Sequence, residues 1–269
     1  MQVSLAVGLS ALAATASAQT PAPATTEPFK PTVGQAGKDV VWVPTPAILV
    51  EKMLDMAKVT AQDYVMDLGS GDGRNIIAAA KRGARGKGVE WNQDMVDLSK
   101  RNAQEAGVAD KAEFVQGDMY AADISKANVM AMFLLTENLD KLMPKFLELR
   151  PGSRIVINGF GITGWAPDVT DRAEGDCGSW CTVHLFHVPA KVGGTWQLAR
   201  GQLTIKQAFQ KITGTLTNGA TSTPIEGSLN GEAITFTAGA ATYTGRVNGS
   251  AMSGEVKGGP GGKWSATKK

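Results

Sequence analysis

Residues 64–74 decide the fold of this chain, and they read Tyr64-Val65-Met66-Asp67-Leu68-Gly69-Ser70-Gly71-Asp72-Gly73-Arg74. The apolar run that opens this stretch is short, which is typical of a strand buried on both faces of a parallel sheet. The glycines let the backbone turn tightly at positive φ and let a ligand lie against it. The residues that follow predict a helix, whose first N–H groups would point at that ligand. The stretch therefore predicts the nucleotide-holding corner of a doubly wound α/β domain.

The spacing of the glycines indicates which kind of nucleotide fits this corner. A dinucleotide-binding turn has the pattern G-x-G-x-x-G, whereas residues 69–73 have the pattern G-x-G-x-G. Asp72 would also repel a pyrophosphate at the same helix start, while acids around the turn would attract a cation. The turn therefore favours a positively charged cofactor and argues against a nicotinamide-dependent oxidoreductase.

Two further acids follow at the ends of the next two predicted strands. Glu90 ends a short strand one strand–helix–strand step after Asp67, and a carboxylate at that point can accept hydrogen bonds from both ribose hydroxyls. Asp118 comes just after a third strand, predicted over residues 112–116. The three acids in this order predict a site for a cofactor that contains a nucleoside.

The glycine turn and these acids resemble motif positions of the class I S-adenosylmethionine-dependent methyltransferases. The resemblance implies that Asp67 helps to hold the amino group of the methionine part, and that Asp118 and Met119 hold the adenine. A V-P-T-P segment at residues 43–46 narrows it to the small lysine methyltransferases of mitochondrial membrane proteins and their bacterial relatives. The cofactor-binding residues implied in this way are Thr45, Pro46, Asp67, Gly69, Ser70, Gly71, Gly73, Glu90, Trp91, Gly117, Asp118, Met119 and Phe133.

The methyl acceptor would be bound after the fourth predicted strand, residues 128–134. Methyltransferases of nucleobases and amide nitrogens carry an N/D-P-P-Y/F motif there, and this chain lacks it. The resemblance therefore implies methyl transfer to a lysine side chain of a protein, by in-line displacement. No His, Cys or Tyr occupies a motif position that would make it a base, so the catalytic residue is unassigned. The candidates for orienting the acceptor are Thr136, Glu137 and Asn138, and the Gly-rich segment 160–176 is expected near the substrate mouth.

The N-terminal residues predict export. Residues 3–16 are apolar and small, and Ala16-Ser17-Ala18 resembles a cleavage site, so residues 1–18 are interpreted as a signal peptide. The apolar run is too short to span a bilayer, and no transmembrane segment is expected in the mature chain. Residues 19–37 are rich in Pro, Thr, Ala and Gly, which predicts a flexible linker. The expected location is the periplasm, or the cytoplasm if this segment is not a functional signal.

A change of composition after Gly194 predicts a second domain. We place a methyltransferase domain at residues 38–193 and a small all-β domain at residues 194–269, as an antiparallel β-meander that forms a half-barrel or sandwich. Its hairpin signals are three Asn-Gly pairs, and a weak glycine repeat precedes them. Residues 191–269 contain nine Lys and Arg against three Asp and Glu, but no aromatic stacking platform accompanies them. A solvated surface is therefore favoured over nucleic-acid binding, and an exported binding module on a methyltransferase-like scaffold is the alternative function.

The two cysteines, Cys177 and Cys181, allow two interpretations. With His184 and His187 they could form a zinc site, but the spacing is cramped and the two histidines would point to opposite faces of a strand. If the chain is exported, a local disulfide is the better interpretation. The sequence alone does not decide between them.

Overall fold

The structure is a computed structural model that describes residues 2, 29–259 and 261–269. Apart from Gln2, the predicted signal peptide lies outside these residues, as does the first half of the predicted linker, residues 19–28. Export therefore stays a prediction. Within the described residues, no helix combines the length and the apolar character needed to cross a membrane.

The chain from Ala47 to His187 alternates helices and strands. The helices are α1 Ala47–Met56, α2 Arg74–Lys81, α3 Gln93–Glu105 and α4 Thr136–Phe146. The strands are β1 Tyr64–Leu68, β2 Arg85–Glu90, β3 Ala112–Gln116, β4 Val129–Met132, β5 Arg154–Asn158, β6 Val169–Arg172 and β7 Thr182–His187.

These strands form one seven-stranded sheet in the order β3-β2-β1-β4-β5-β7-β6. β1 pairs in parallel with both β2 and β4, so the order of strands reverses beside β1. Ligands of open α/β sheets bind at such a switch point, outside the carboxyl ends of the strands. β7 pairs antiparallel with β5 and with β6, which confirms the doubly wound, methyltransferase-type sheet and its antiparallel pair at one edge.

Two apolar layers cover the faces of the sheet. On one face, α1 contributes Leu49 and Met53 and α2 contributes Ile76, all fully buried. On the other face, α4 contributes Leu142 and Phe146, which are also fully buried. Because helices shield both faces, the polar groups available for a ligand are those at the strand ends and in the loops that follow them.

Helix α4 begins earlier than the sequence pattern predicts. The apolar residues predict a helix from Leu139, but the N–H groups of Asn138 and Leu139 already donate to the carbonyl of Leu135. Thr136, Glu137 and Asn138 therefore form the first turn of this helix and not a loop. Sequence periodicity locates helix ends poorly, because the first turn has no apolar repeat of its own.

The cysteines are joined by a disulfide whose Cα atoms are 5.1 Å apart. The two histidines contact other residues: a ring nitrogen of His184 lies 2.9 Å from the Thr170 hydroxyl, and Nδ1 of His187 lies 3.1 Å from the Asp168 carboxylate. The four side chains are therefore not gathered around one centre.

The C-terminal residues form a barrel of eight antiparallel strands. These are β8 Gly194–Leu198, β9 Gln202–Ala208, β10 Lys211–Asn218, β11 Thr221–Asn230, β12 Ala233–Ala238, β13 Ala241–Asn248, β14 Ala251–Lys257 and β15 Gly262–Lys268. The expected meander is confirmed, and it is closed into a full barrel, not a half-barrel or sandwich, because β8 pairs with both β9 and β15. Closure pairs both edges of the described sheet, and the interior is filled by side chains such as Trp196 and Phe236.

The glycine repeat of this domain has a packing reason. A Cβ added to Gly214 would lie 1.9 Å from the carbonyl oxygen of Thr204 on the neighbouring strand, and one added to Gly245 would lie 2.4 Å from that of Ser253. Glycines at such points let two backbones approach closely, which gives a sheet the curvature that closing a barrel requires.

One hairpin turn departs from the glycine rule and docks the barrel on the first domain. Asn-Gly pairs place Gly219, Gly231 and Gly249 at positive φ at the start of two-residue loops. The loop after β9 has Phe209 at this position, with φ of 53°. Its ring stacks on Trp165 at 5.3 Å between centroids and 9° between planes, and the Gln210 side chain donates to the carbonyl of Ala166 at 2.6 Å.

We expect Phe209→Gly to destabilise the protein less than Phe209→Ala does. Both variants lose the stacked ring, but only alanine keeps the strain of a side chain in the left-handed region, which costs about 1–2 kcal/mol. The greater flexibility of glycine in the unfolded chain offsets about 0.4–1 kcal/mol of this relief. Urea unfolding of the two variants measures the difference, and an alanine variant that is the more stable of the two would contradict the docking geometry.

Candidate cofactor site

A cavity of about 230 Å³ lies at the carboxyl ends of the parallel strands. Each of the first four strands in the middle of the sheet provides a residue at its end, and a segment before α1, residues 35–43, forms the opposite wall. The residues that line the cavity are Gln35, Ala36, Gly37, Lys38, Asp39, Val40, Val41, Trp42, Val43, Gly69, Val89, Glu90, Trp91, Asn92, Met95, Gly117, Asp118, Met119, Phe133, Leu134, Leu135, Phe160 and Trp180.

The glycine turn lies under this upstream wall. Gly69, Gly71 and Gly73 have φ of 74°, 55° and 84°. A Cβ on Gly71 would lie 2.5 Å from Nε1 of Trp42, so the Trp42 indole packs directly on the turn. The upstream segment therefore does fold over the site, but the residues that cover it are 35–43, and the end of the predicted linker is part of the wall.

Thr45 and Pro46 lie behind this wall. Thr45 is 3% exposed, and its carbonyl accepts a hydrogen bond of 2.6 Å from Arg74. Pro46 precedes the first residue of α1. Neither residue lines the cavity, so the structure does not bring them to the methionine end that the resemblance implies.

Glu90 is fixed at the end of β2 by two backbone N–H groups. Its Oε2 accepts from Gly71 and its Oε1 accepts from Asn92, each at 3.0 Å. A carboxylate has about four lone-pair sites, so each oxygen retains capacity to accept a hydroxyl from the cavity. Glu90 therefore joins the glycine turn to the point where a ribose would bind.

Asp67 is buried beneath the glycine turn. It is 3% exposed, and its carboxylate accepts a hydrogen bond of 2.9 Å from Nδ2 of Asn75. Burial raises the pKa of Asp67 well above its ordinary value, the Asn75 hydrogen bond opposes this shift, and the negative charges of Glu90 and Asp72 add to it. A buried acid with such neighbours is stabilised by a cation, which fits a cofactor that carries an ammonium group.

The remaining residues of the turn lie below the cavity. Ser70 is 5% exposed, and its hydroxyl has no hydrogen-bond partner among the described residues. Gly73 forms the start of α2, and a Cβ there would lie 2.7 Å from the ring of Phe114. The side chain of Asp72 is held by Arg74, whose Nε donates to it at 2.9 Å. These residues shape the turn and do not line the cavity themselves.

At the far end of the cavity, Asp118 is paired with a lysine that sequence analysis did not identify. Nζ of Lys38 lies 2.7 Å from Oδ2 of Asp118 and 4.4 Å from the centre of the Trp91 ring. The hydrogen bond from Lys38 is the main cause that lowers the pKa of Asp118. Gly117 and Met119 line the same end. The upstream wall is therefore attached electrostatically to the acid that the resemblance assigns to adenine.

The acceptor candidates are not in the cavity. Asn138 is 4% exposed and its Nδ2 donates to the hydroxyl of Tyr120 at 2.7 Å, while Thr136 and Glu137 lie beside it in the first turn of α4. The end of the cavity away from Asp118 is formed instead by Phe133, Phe160 and Trp180. Phe133 was expected to contact the cofactor, and the structure places it in this aromatic group.

Comparison with known proteins identifies the family. A model of the ANTKMT methyltransferase domain matches residues 67–169. A protein-lysine N-methyltransferase from Saccharolobus islandicus is 43% identical over 150 residues, which are 55% of this chain and 92% of that protein. The chain belongs to the protein-lysine N-methyltransferase family. The class I methyltransferase fold and the cofactor S-adenosylmethionine are thereby confirmed.

Two further relatives of this methyltransferase differ in what their names state. A solved RNA methyltransferase from Salinibacter ruber, in complex with S-adenosylhomocysteine, is 45% identical with a TM-score of 0.52, and the match covers 56% of this chain and 96% of that one. A lysine N-methyltransferase of Mus musculus, which is named for an ATP synthase component, is 33% identical over 130 residues, which are 48% of this chain and 52% of that protein. The chain thus spans about half the length of that mouse relative.

Proposed function

We propose that this protein transfers a methyl group from S-adenosylmethionine to the ε-amino group of a lysine in a protein substrate. The observation that carries the proposal is the 43% identity to a protein-lysine N-methyltransferase across 92% of that relative. The cavity geometry supports it, because acids and a glycine turn suited to the cofactor occupy one part of the cavity and an apolar mouth occupies the other.

The contribution of the chain is mainly to position two reactants. When bound, S-adenosylmethionine supplies an electrophilic methyl group on a sulfonium. Glu90 and the glycine turn fix the cofactor, and Asp67 holds its ammonium group in our assignment. Holding a nucleophile in line with a methyl group replaces a bimolecular encounter by a unimolecular step, and this accounts for a large part of the acceleration.

A lysine amine must be neutral before it can attack the methyl group. The mouth favours the neutral form, since it is lined by Phe133, Leu134, Leu135, Phe160 and Trp180 and desolvation lowers the pKa of an amine. The titratable residues that line the cavity are Lys38, Asp39, Glu90 and Asp118. None belongs to this apolar group, so we propose that the proton leaves to solvent before the amine enters.

The proposal is tested with tritiated S-adenosylmethionine and a lysate of cells in which the gene for this protein is deleted. We expect label in protein, with mass spectrometry locating it on lysine nitrogen, and no label above background with the Glu90→Ala variant. Label in RNA and not in protein would overturn the lysine assignment and would agree with the name of the Salinibacter relative. A failure of S-adenosylhomocysteine to bind in calorimetry would overturn the function as a whole.

A further inference from the structure

Three aromatic side chains form the mouth of the cavity, and we call Phe133, Phe160 and Trp180 the aromatic wall. The ring centroids of Phe133 and Phe160 are 6.0 Å apart with 26° between their planes. Those of Phe133 and Trp180 are 5.6 Å apart with 64° between their planes. Trp180 is 40% exposed, so this wall presents a large aromatic surface that nothing in the described part of the chain covers.

Two features hold Trp180 in place. It lies on the short loop that the Cys177–Cys181 disulfide closes. Its side chain also packs on the backbone of Gly159, where an added Cβ would lie 2.9 Å from Trp180 Cδ1. Gly159 follows β5 directly and has φ of 75°. The tryptophan is therefore attached both to the end of the central sheet and to a cross-linked loop, which gives it a defined position at the mouth.

The chemistry of methyl transfer requires a group that accepts positive charge at this end. As the nitrogen–carbon bond forms and the carbon–sulfur bond breaks, the positive charge passes from the sulfonium to the acceptor nitrogen. Among residues 29–259 and 261–269, the acids that line the cavity are Asp39, Glu90 and Asp118, and none of them belongs to the mouth. Aromatic faces within about 6 Å of a cation attract it through their quadrupole.

We propose that the aromatic wall, with Trp180 as its exposed face, binds the alkylammonium group of the acceptor lysine and of its methylated forms. This inference rests on the proposed function and specifies how the acceptor is recognised. Trp180 is then a residue that determines acceptor specificity. Aromatic faces need no N–H donor from the ligand, so they bind a methylated ammonium as well as an unmodified one. The wall therefore admits a lysine that already carries one or two methyl groups.

The test uses choline and its neutral isostere 3,3-dimethylbutan-1-ol as probes. Both are titrated by NMR into the full-length protein saturated with S-adenosylhomocysteine. We expect the wild-type protein to bind choline about three- to tenfold more tightly than the neutral isostere, as cation–π attraction predicts. Trp180→Phe should keep most of this preference. Trp180→Leu, which keeps apolar bulk but has no ring, should lose it, while Val169→Ala, a change at an exposed site on β6, should leave it unaltered.

The outcomes separate this inference from the proposed function. If S-adenosylhomocysteine does not bind, the function itself fails. If it binds and the wild-type protein shows no preference for choline, or binds neither probe, the aromatic wall is not an ammonium site. A full preference retained by Trp180→Leu would likewise overturn the role of Trp180, because that variant is judged only while its affinity for S-adenosylhomocysteine equals that of the wild type. A Trp180→Phe variant that binds the cofactor normally but shows no preference would also contradict it.

Discussion

Glu90→Ala should reduce the affinity for S-adenosylhomocysteine by about 100-fold or more. The variant loses two hydrogen bonds to the ribose, and each is worth about 1.5–3 kcal/mol because the acceptor is charged. It also removes the acceptor of the Gly71 N–H group, so the glycine turn loses a contact that fixes it. Calorimetric titration measures the loss directly.

Two further variants calibrate this result. Glu105→Ala removes an exposed acid at the end of α3, and we expect its affinity for S-adenosylhomocysteine to equal that of the wild type. Glu90→Gln keeps the shape of the side chain and one carbonyl acceptor, so its loss should be smaller than that of Glu90→Ala. A Glu90→Ala variant that binds within about threefold of wild type, or about 0.6 kcal/mol, would remove Glu90 from the ribose site.

Asp67→Asn should have opposite effects on the cofactor-free protein and on cofactor binding. At neutral pH the substitution removes a buried acid whose pKa burial raises well above the ordinary value. We expect a gain in stability of about 1 kcal/mol or more, since each pKa unit corresponds to about 1.4 kcal/mol. The same variant loses the carboxylate for the ammonium group, and the affinity for S-adenosylhomocysteine should fall about 10- to 100-fold.

The pH dependence gives the sign of this second prediction. The folded-state pKa of Asp67 is raised above the unfolded value, so its favourable contribution is complete below the unfolded pKa of about 4 and is lost as pH rises through the folded pKa. The stability gain of Asp67→Asn should therefore be large at pH 7 and vanish near pH 4. Urea unfolding at both pH values measures it, and a gain that is equal at the two would show that titration of Asp67 is not its cause.

The parts of the site that the sequence predicts are those set by local rules. The glycine turn follows from its spacing after an apolar strand, and the structure has all its glycines at positive φ. Glu90 and Asp118 lie at the ends of consecutive parallel strands, which share one edge of the sheet, so their position in one cavity follows from the order of the strands. These features need no knowledge of long-range packing.

The upstream wall could not be predicted in the same way. Lys38 and Trp42 lie in a short segment without helical or strand periodicity, which composition assigns partly to a linker. Their role depends on contacts across 80 positions of the chain to Asp118 and on the packing of Trp42 on Gly71. An unpaired acid at the adenine corner was a signal that a cation could be nearby, but it did not specify which lysine.

The barrel shows the same division. Asn-Gly pairs predict its hairpins because the turn chemistry is local. Closure depends on β8 pairing with β15, which is separated from it by the whole domain. Phe209 breaks the local rule, since a bulky side chain at positive φ is unfavourable by itself. Its contact with Trp165 in another domain compensates for the strain, and such compensation is visible only once the fold is known.

The way the barrel is docked divides its loops into two groups with different freedom to evolve. An up-and-down barrel places alternate loops at opposite ends. The loops at residues 209–210 and 231–232 contact the methyltransferase domain, whereas those at 219–220 and 239–240 are exposed at the other end. Insertions or new side chains in the exposed pair leave the docked end and the cofactor cavity undisturbed. Descendants of this protein can therefore acquire new binding partners through one end of the barrel while the enzyme stays the same.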